Sequence, residues 1–229
     1  MSGNSRDIAS KLGAAFTALA PITLTAYFTL KMQLQSHNTK IILASTSRYR
    51  KMLLERFPIS FETAAPDADE MPLPGESPAA LVKRLALAKA RAVSASRPDA
   101  IVIGSDQVAE CDGRVAGKPG SVQKAREQLA AFSGRSVNFL TALAVVAESD
   151  GFLFETTVTT EVVFRQLTTS EIDRYIALDS PLDCAGSFKS EATGTALLES
   201  MSSDDPSAIM GLPLIELACG LRAAGVQLP

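Results

Sequence analysis

The sequence predicts an α/β fold, a mixed sheet flanked by helices. Three observations carry this. The apolar runs at 40–44 (KIILA) and 101–104 (IVIG) read as buried strands. Segments with apolar residues at helical spacing alternate with them. Two Asp-Gly pairs, Asp112-Gly113 and Asp150-Gly151, signal hairpins. Hairpins require antiparallel pairing, so the sheet is mixed and not purely doubly wound.

Lys40 to Ala44 is the first strand. Ser45-Thr46-Ser47 then opens a helix to about Phe57, with Met52, Leu53 and Leu54 as its apolar side and Pro58 as its stop. Ile59 to Ala65 alternates as a strand does. Residues 66–76 are acidic and proline-rich, hence a loop. Ser77-Pro78 starts a helix, as N-cap and first helical residue, and Leu81, Val82, Leu85 and Ala88 recur at its spacing up to Pro98. Ile101 to Gly104 is a strand that runs out into Ser105-Asp106-Gln107. Ser121 caps a helix with Val122, Ala125, Leu129 and Phe132 on one face and Gly134 past its end. Strands at about 137–147 and 152–166 follow. Thr168 to Glu171 has the form of a capping box for a helix ending near Leu178. Residues 183–194 read as irregular. Pro213 begins a last helix with Leu214, Leu217, Ala218 and Leu221 inward.

The chain has 229 residues, 46% hydrophobic and 21% charged, which suits one ordinary globular domain. A net charge of −3 does not suit a nucleic-acid binder working by bulk electrostatics. The single histidine, His37, precedes the predicted domain, so histidine-based triads and histidine-rich metal sites are excluded from it. Cys111, Cys184 and Cys219 are far apart and odd in number. A disulfide framework is not expected, buried small hydrophobes are, and a reducing cytoplasm fits.

The expected organisation is an N-terminal extension, 1–38, and one domain, 39–229. No residue from Leu12 to Leu30 is charged, a length of the order of a membrane span. Pro21, the threonines and the many alanines weigh against an anchor. A tail, or a true start at Met32, is the preferred reading, and no membrane partner is expected.

Several motifs admit both a chemical and a structural reading. At 43–51 (LASTSRYRK), hydroxyls at a helix start and Arg48, Arg50 and Lys51 suit an anion, with Arg50 able to bind phosphate in bidentate fashion. Ser45 or Thr46 would otherwise be a plain cap. Asp106 is either a general base or metal holder at a strand end, or a turn aspartate. Lys118 in Gly117-Lys118-Pro119 is either aimed at a phosphate or solvated. Asp67, Asp69 and Glu70 either hold a hard cation or form a solvated loop. Ser187 to Glu191, after Cys184-Ala185-Gly186, reads as a binding loop.

Taken together, KIILASTSRYRK, Asp69-Glu70, GSDQ at 104–107, GKP at 117–119, SGR at 133–135 and CAGSFKSE at 184–191 resemble the Maf family in identity, order and spacing. The resemblance covers about residues 40–225. It implies a fold like that of the inosine triphosphate pyrophosphatases. The implied activity is hydrolysis between the α- and β-phosphates of a nucleoside triphosphate, assisted by a divalent metal cation. In that likeness Asp106 is the proton acceptor. Ser45, Arg50, Lys89 and Lys118 line the triphosphate region, and Glu70 belongs to the metal region. Homodimers are also implied, although no stretch of sequence marks an interface.

GSDQ with CAGSFKSE resembles the 7-methyl-GTP branch, where the dTTP and UTP enzymes carry Asp-Thr and a different late loop. Tyr49, Gln107 and Glu191 then face the base. N7-methylation makes guanine cationic, so an aromatic face gains ~0.5–2 kcal/mol by cation–π attraction. Glu191 would accept from the guanine N1–H and amino group and repel the acceptor edge of thymine or uracil. One departure is Tyr49, where that branch carries tryptophan. The alternatives are dTTP or UTP specificity and a non-catalytic role in cell division.

Overall fold

The computed structural model describes residues 40–229. The reading of residues 1–38, including His37, lies outside them. Residues 39–229 form one compact unit.

A seven-stranded sheet organises the domain. Its strands are β1 (Ile41–Ala44), β2 (Phe61–Ala64), β3 (Ile101–Cys111), β4 (Arg114–Ala116), β5 (Ser136–Ala147), β6 (Phe152–Phe164) and β7 (Leu198–Ser203). The order is β2-β1-β3-β5-β6-β7, with β4 paired to β3. β2 and β3 flank β1 in parallel, and every other pairing is antiparallel. The mixed sheet is therefore as expected. Asp112-Gly113 turns the β3–β4 hairpin with both residues in the left-handed region, at φ 50° and 76°. The β5–β6 turn is longer than its Asp-Gly pair suggests: a 3₁₀ turn at Glu148–Asp150 leads to Gly151 at φ 61°.

Side chains alternate across the sheet with a period of two, and the core follows. Ile42, Val102, Ala142 and Ala144 face one helix, α2 (Pro78–Ser94). Leu43, Ile103, Leu143 and Val145 face the other way, toward α1 (Arg48–Leu54) and α5 (Leu214–Ala223). Farther along β3, β5 and β6, α3 (Val122–Phe132) and α4 (Thr169–Asp179) close a second cluster. Phe132, Phe139, Phe164 and Phe188 meet there with ring centroids 5.5–5.6 Å apart.

The structure departs from the sequence reading at several places. β3 does not end at Gly104; it continues through Asp106 to Cys111. The partner β5 pairs with it residue for residue from Ile101 to Glu110, and that ladder outweighs the polar interruption. α1 spans seven residues and is capped by Ser47; Ser45 and Thr46 lie outside the helix. β2 is two residues shorter at its start and one at its end than the 59–65 reading. β7 (LESMSS) carries no apolar alternation and lies exposed at the sheet edge. Of the three free cysteines only Cys111 is buried; Cys184 is half-buried and Cys219 exposed. Among the described residues no helix is long and apolar enough to cross a membrane.

Gly104 sets the distance between β3 and α2. A Cβ there would lie 2.2 Å from the Ala86 carbonyl oxygen and 2.8 Å from the Ala90 nitrogen. Gly104→Ala must push the helix off the sheet. Overpacking of this kind costs ~1–3 kcal/mol, so we expect the thermal midpoint to fall by several degrees. An unchanged midpoint would contradict the close approach.

The capping box at α4 is formed as predicted. Thr168 Oγ1 accepts from the Glu171 amide, and the Glu171 carboxylate accepts from the Thr168 amide. The Thr168 amide and hydroxyl, both donating to the carboxylate, then Arg165, hold the Glu171 carboxyl down at about 2. Its contribution to stability is complete above its ordinary value of 4.5 and is lost as pH falls toward 2. The stability gap between wild type and Glu171→Gln should therefore narrow across that window in denaturation measured at successive pH values.

Candidate active site

α2 builds the first half of the site. Its buried stripe runs through Val82, Leu85, Ala86, Ala90 and Val93, and Lys89 lies on the same stripe. An ammonium there is costly unless paired. Lys89 Nζ donates to Asp106 Oδ1 at 2.6 Å and lies 2.9 Å from Glu70 Oε1. The Lys89 and Asp106 side chains are 7% and 10% exposed, whereas Glu70 is 62% exposed. One lysine thus bridges a carboxylate in mid-strand and a carboxylate on a loop. Among the described residues no donor reaches Asp106 Oδ2, and no fully buried side-chain oxygen lacks a partner. Oδ2 is therefore open to water.

Burial raises the Glu70 pKa. The hydrogen bond and charge of Lys89, with Lys118 and Arg50 farther off, more than offset this and hold the carboxyl below its ordinary range. Glu70 and Asp106 are hard oxygen donors that meet the same ammonium through one oxygen each, which leaves Glu70 Oε2 and Asp106 Oδ2 for other partners. Such a pair suits a divalent ion that takes its other ligands from phosphate and water. No cluster of three or more metal-binding side chains occurs among the described residues.

Arg50 borders this half. Its Nε donates to the Gly211 carbonyl at 2.8 Å, and its Nη1 reaches Ser45 Oγ at 3.5 Å. Burial lowers the Arg50 pKa, and the fields of Asp106 and Glu70 oppose that shift. Ser45 is buried behind the guanidinium, where it also accepts from the Ser47 amide at 3.1 Å. α1 is too short for its dipole to dominate anion binding, so that attraction falls to Arg50 itself.

The second half lies on the other face of β3. Alternation turns Gln107 away from Asp106. Gln107 lines a cleft with Tyr49, Arg50, Lys118 and Glu191. Lys118 and Glu191 are exposed, and neither forms an ion pair among the described residues. The Arg48 guanidinium carbon lies 4.7 Å from the Tyr49 ring centroid, so this ring already faces a cation.

The 184–191 loop is held by residues that point inward. Gly186 adopts φ 60°, and a Cβ there would lie 2.8 Å from that of Ala109. Ser187 Oγ donates to Gln128 Oε1 at 2.5 Å, and Phe188 joins the aromatic cluster. Lys189 Nζ donates to the Asp179 and Ser180 carbonyls at 2.5 and 3.1 Å, satisfying the C-terminal end of α4. With these anchors inside, Glu191 is left at the cleft. Burial pushes the Cys184 thiol up to about 12, with Asp183 adding to it.

All nine residues singled out from the sequence therefore fall in one region. Asp106, Lys89 and Glu70 touch; Arg50 adjoins them; Tyr49, Gln107, Lys118 and Glu191 share the cleft; Ser45 supports Arg50. The sequence reading missed the segment 205–212. Its carbonyls at Ala208, Ile209 and Gly211 accept from Gln107, Thr141, Ser105 and Arg50. The buried Asp205 carboxylate fastens the segment to α5 by accepting from the Ser207, Ile215 and Glu216 amides. Only the Asp205-Pro206-Ser207 turn composition signals it beforehand.

The chain matches the family model described as Maf-like protein over residues 40–224. A protein from Aromatoleum aromaticum named 7-methyl-GTP pyrophosphatase is 55% identical over 191 residues, 83% of this chain and 98% of that one. Proteins of the same name from Polaromonas sp. and Xanthomonas campestris are 49% and 51% identical, over 93% and 83% of this chain and 95% and 98% of theirs. A solved HAM1 protein from Coxiella burnetii aligns at TM-score 0.46 and 17% identity, over 81% of this chain and 99% of that one. The family match spans nearly the whole described domain and the relatives are about half identical throughout it: this chain belongs to the Maf family.

Proposed function

We propose that the protein hydrolyses 7-methyl-GTP to 7-methyl-GMP and pyrophosphate. The observation that carries this reading is one region holding a lysine-bridged pair of carboxylates, the cations Arg50 and Lys118, and a cleft lined by Tyr49, Gln107 and Glu191. The names of the relatives support the same substrate.

Asp106 takes a proton from water through Oδ2 while Lys89 fixes Oδ1. The water oxygen bonds to the α-phosphorus, and the bond to the bridging oxygen breaks. Pyrophosphate leaves with the electron pair. Arg50 and Lys118 neutralise the polyphosphate tail, which lowers the repulsion that the attacking water meets. A divalent cation held by Glu70 and Asp106 would add charge neutralisation when bound. Tyr49 stacks on the cationic base, and Glu191 accepts from its donor edge. Three free thiols suit a reducing cytoplasm.

Pyrophosphate release from 7-methyl-GTP, GTP, dTTP and UTP tests this. The highest kcat/KM belongs to 7-methyl-GTP; a preference for dTTP or UTP overturns the assignment.

A further inference from the structure

The GSDQ motif places Gln107 in the cleft, but a glutamine amide offers either a donor or an acceptor. The structure decides which. Gln107 Nε2 lies 2.9 Å from Thr141 Oγ1, 2.9 Å from the Ala208 carbonyl oxygen and 3.1 Å from that of Ile209. Main-chain carbonyls only accept, so the group facing them must be the amide nitrogen. Thr141 is fully buried on β5, opposite Gln107 in the strand register. Its hydroxyl donates to Ala208 O at 2.9 Å, which leaves its lone pairs to accept from Gln107. Among the described residues no group donates to Gln107 Oε1. Among the described residues no fully buried side-chain oxygen lacks a partner, so Oε1 is at the accessible surface of the cleft.

We propose that Thr141 is a positioning residue for base selection: with the Ala208 and Ile209 carbonyls it turns the Gln107 amide nitrogen inward and presents Oε1 to the base. The cleft then offers two acceptors, Gln107 Oε1 and the Glu191 carboxylate, and no side-chain amide donor from Gln107. That pair suits a base edge with adjacent N–H donors, as guanine has in N1–H and its amino group. Thymine and uracil place an acceptor on each side of their single N–H, so one of the two acceptors would meet an oxygen. This deepens the nucleotide pyrophosphatase reading and rests on it. It adds a residue that never touches the substrate.

The tests are Thr141→Val, which keeps the shape and removes the hydroxyl, and Thr141→Ser, which keeps the hydroxyl. Thr141→Val should raise KM for 7-methyl-GTP about 3–10-fold, the size of one lost hydrogen bond. Its kcat should stay near that of wild type, and its preference over UTP should shrink by the same factor. Thr141→Ser should retain the wild-type KM and preference. A Thr141→Val enzyme with wild-type KM and preference, or a Thr141→Ser enzyme as impaired as Thr141→Val, overturns the inference. Wild type that prefers dTTP or UTP overturns the functional reading instead.

A measurement free of turnover separates the two. In ¹⁵N-labelled wild-type protein without nucleotide, the Gln107 side-chain NH₂, assigned by its loss in Gln107→Met, should exchange with solvent more slowly than exposed glutamine amides. Exchange at the exposed rate in wild type overturns the lock, whether or not the threonine variants fold.

Discussion

Asp106→Asn should lose pyrophosphate release by ~10²–10⁴-fold in kcat, the usual worth of a positioned proton acceptor. The substitution keeps the shape of the side chain and the oxygen or nitrogen beside Lys89, but it removes the basicity. Glu70, 2.9 Å from the same ammonium, still neutralises Lys89, so the fold should survive. Single-turnover kinetics with circular dichroism would check both parts. A folded variant retaining more than a tenth of wild-type kcat would remove Asp106 from the proton transfer.

Lys89→Met is expected to fail in a different way. It leaves the Asp106 carboxylate, whose side chain is 10% exposed, without the ammonium that compensates it. Removing one partner of a buried ion pair costs ~3–5 kcal/mol, mostly because the other charge remains buried. Glu70, far more exposed, loses the contact that holds its carboxyl low but can turn to solvent. Both the denaturation midpoint and kcat should therefore drop, whereas Asp106→Asn affects chiefly kcat. Equal stability of the two variants would mean that the Lys89–Asp106 pair contributes little to the fold.

This contrast also explains what was legible in the sequence. Runs such as IVIG and the Asp112-Gly113 turn announce their local structure, because a period of two or a left-handed dipeptide needs nothing from the rest of the chain. β7 could not be read that way, since an exposed edge strand has no apolar face to encode. Asp106 reads as a strand end only because polar residues interrupt the apolar run; pairing with β5 decides otherwise. Lys89 on its own looks like a solvated helix lysine, and only the family resemblance gives it a role. Its partner lies 17 positions away on another element. The acceptors that lock Gln107 were hidden for a plainer reason: every residue has a carbonyl, so sequence cannot mark which ones matter.

The segment from Asp205 to Leu212 hydrogen-bonds to both ends of the site through main-chain oxygens, Gly211 beside Arg50 and Ala208 with Ile209 beside Gln107. The side chains at 208–210 take no part in those bonds; Ala208 and Ile209 are instead buried in the core. Asp205, which does not line the cleft, is the opposite case. It ties the segment to the start of α5, so a change there would loosen the hold on Gln107 and Arg50 together.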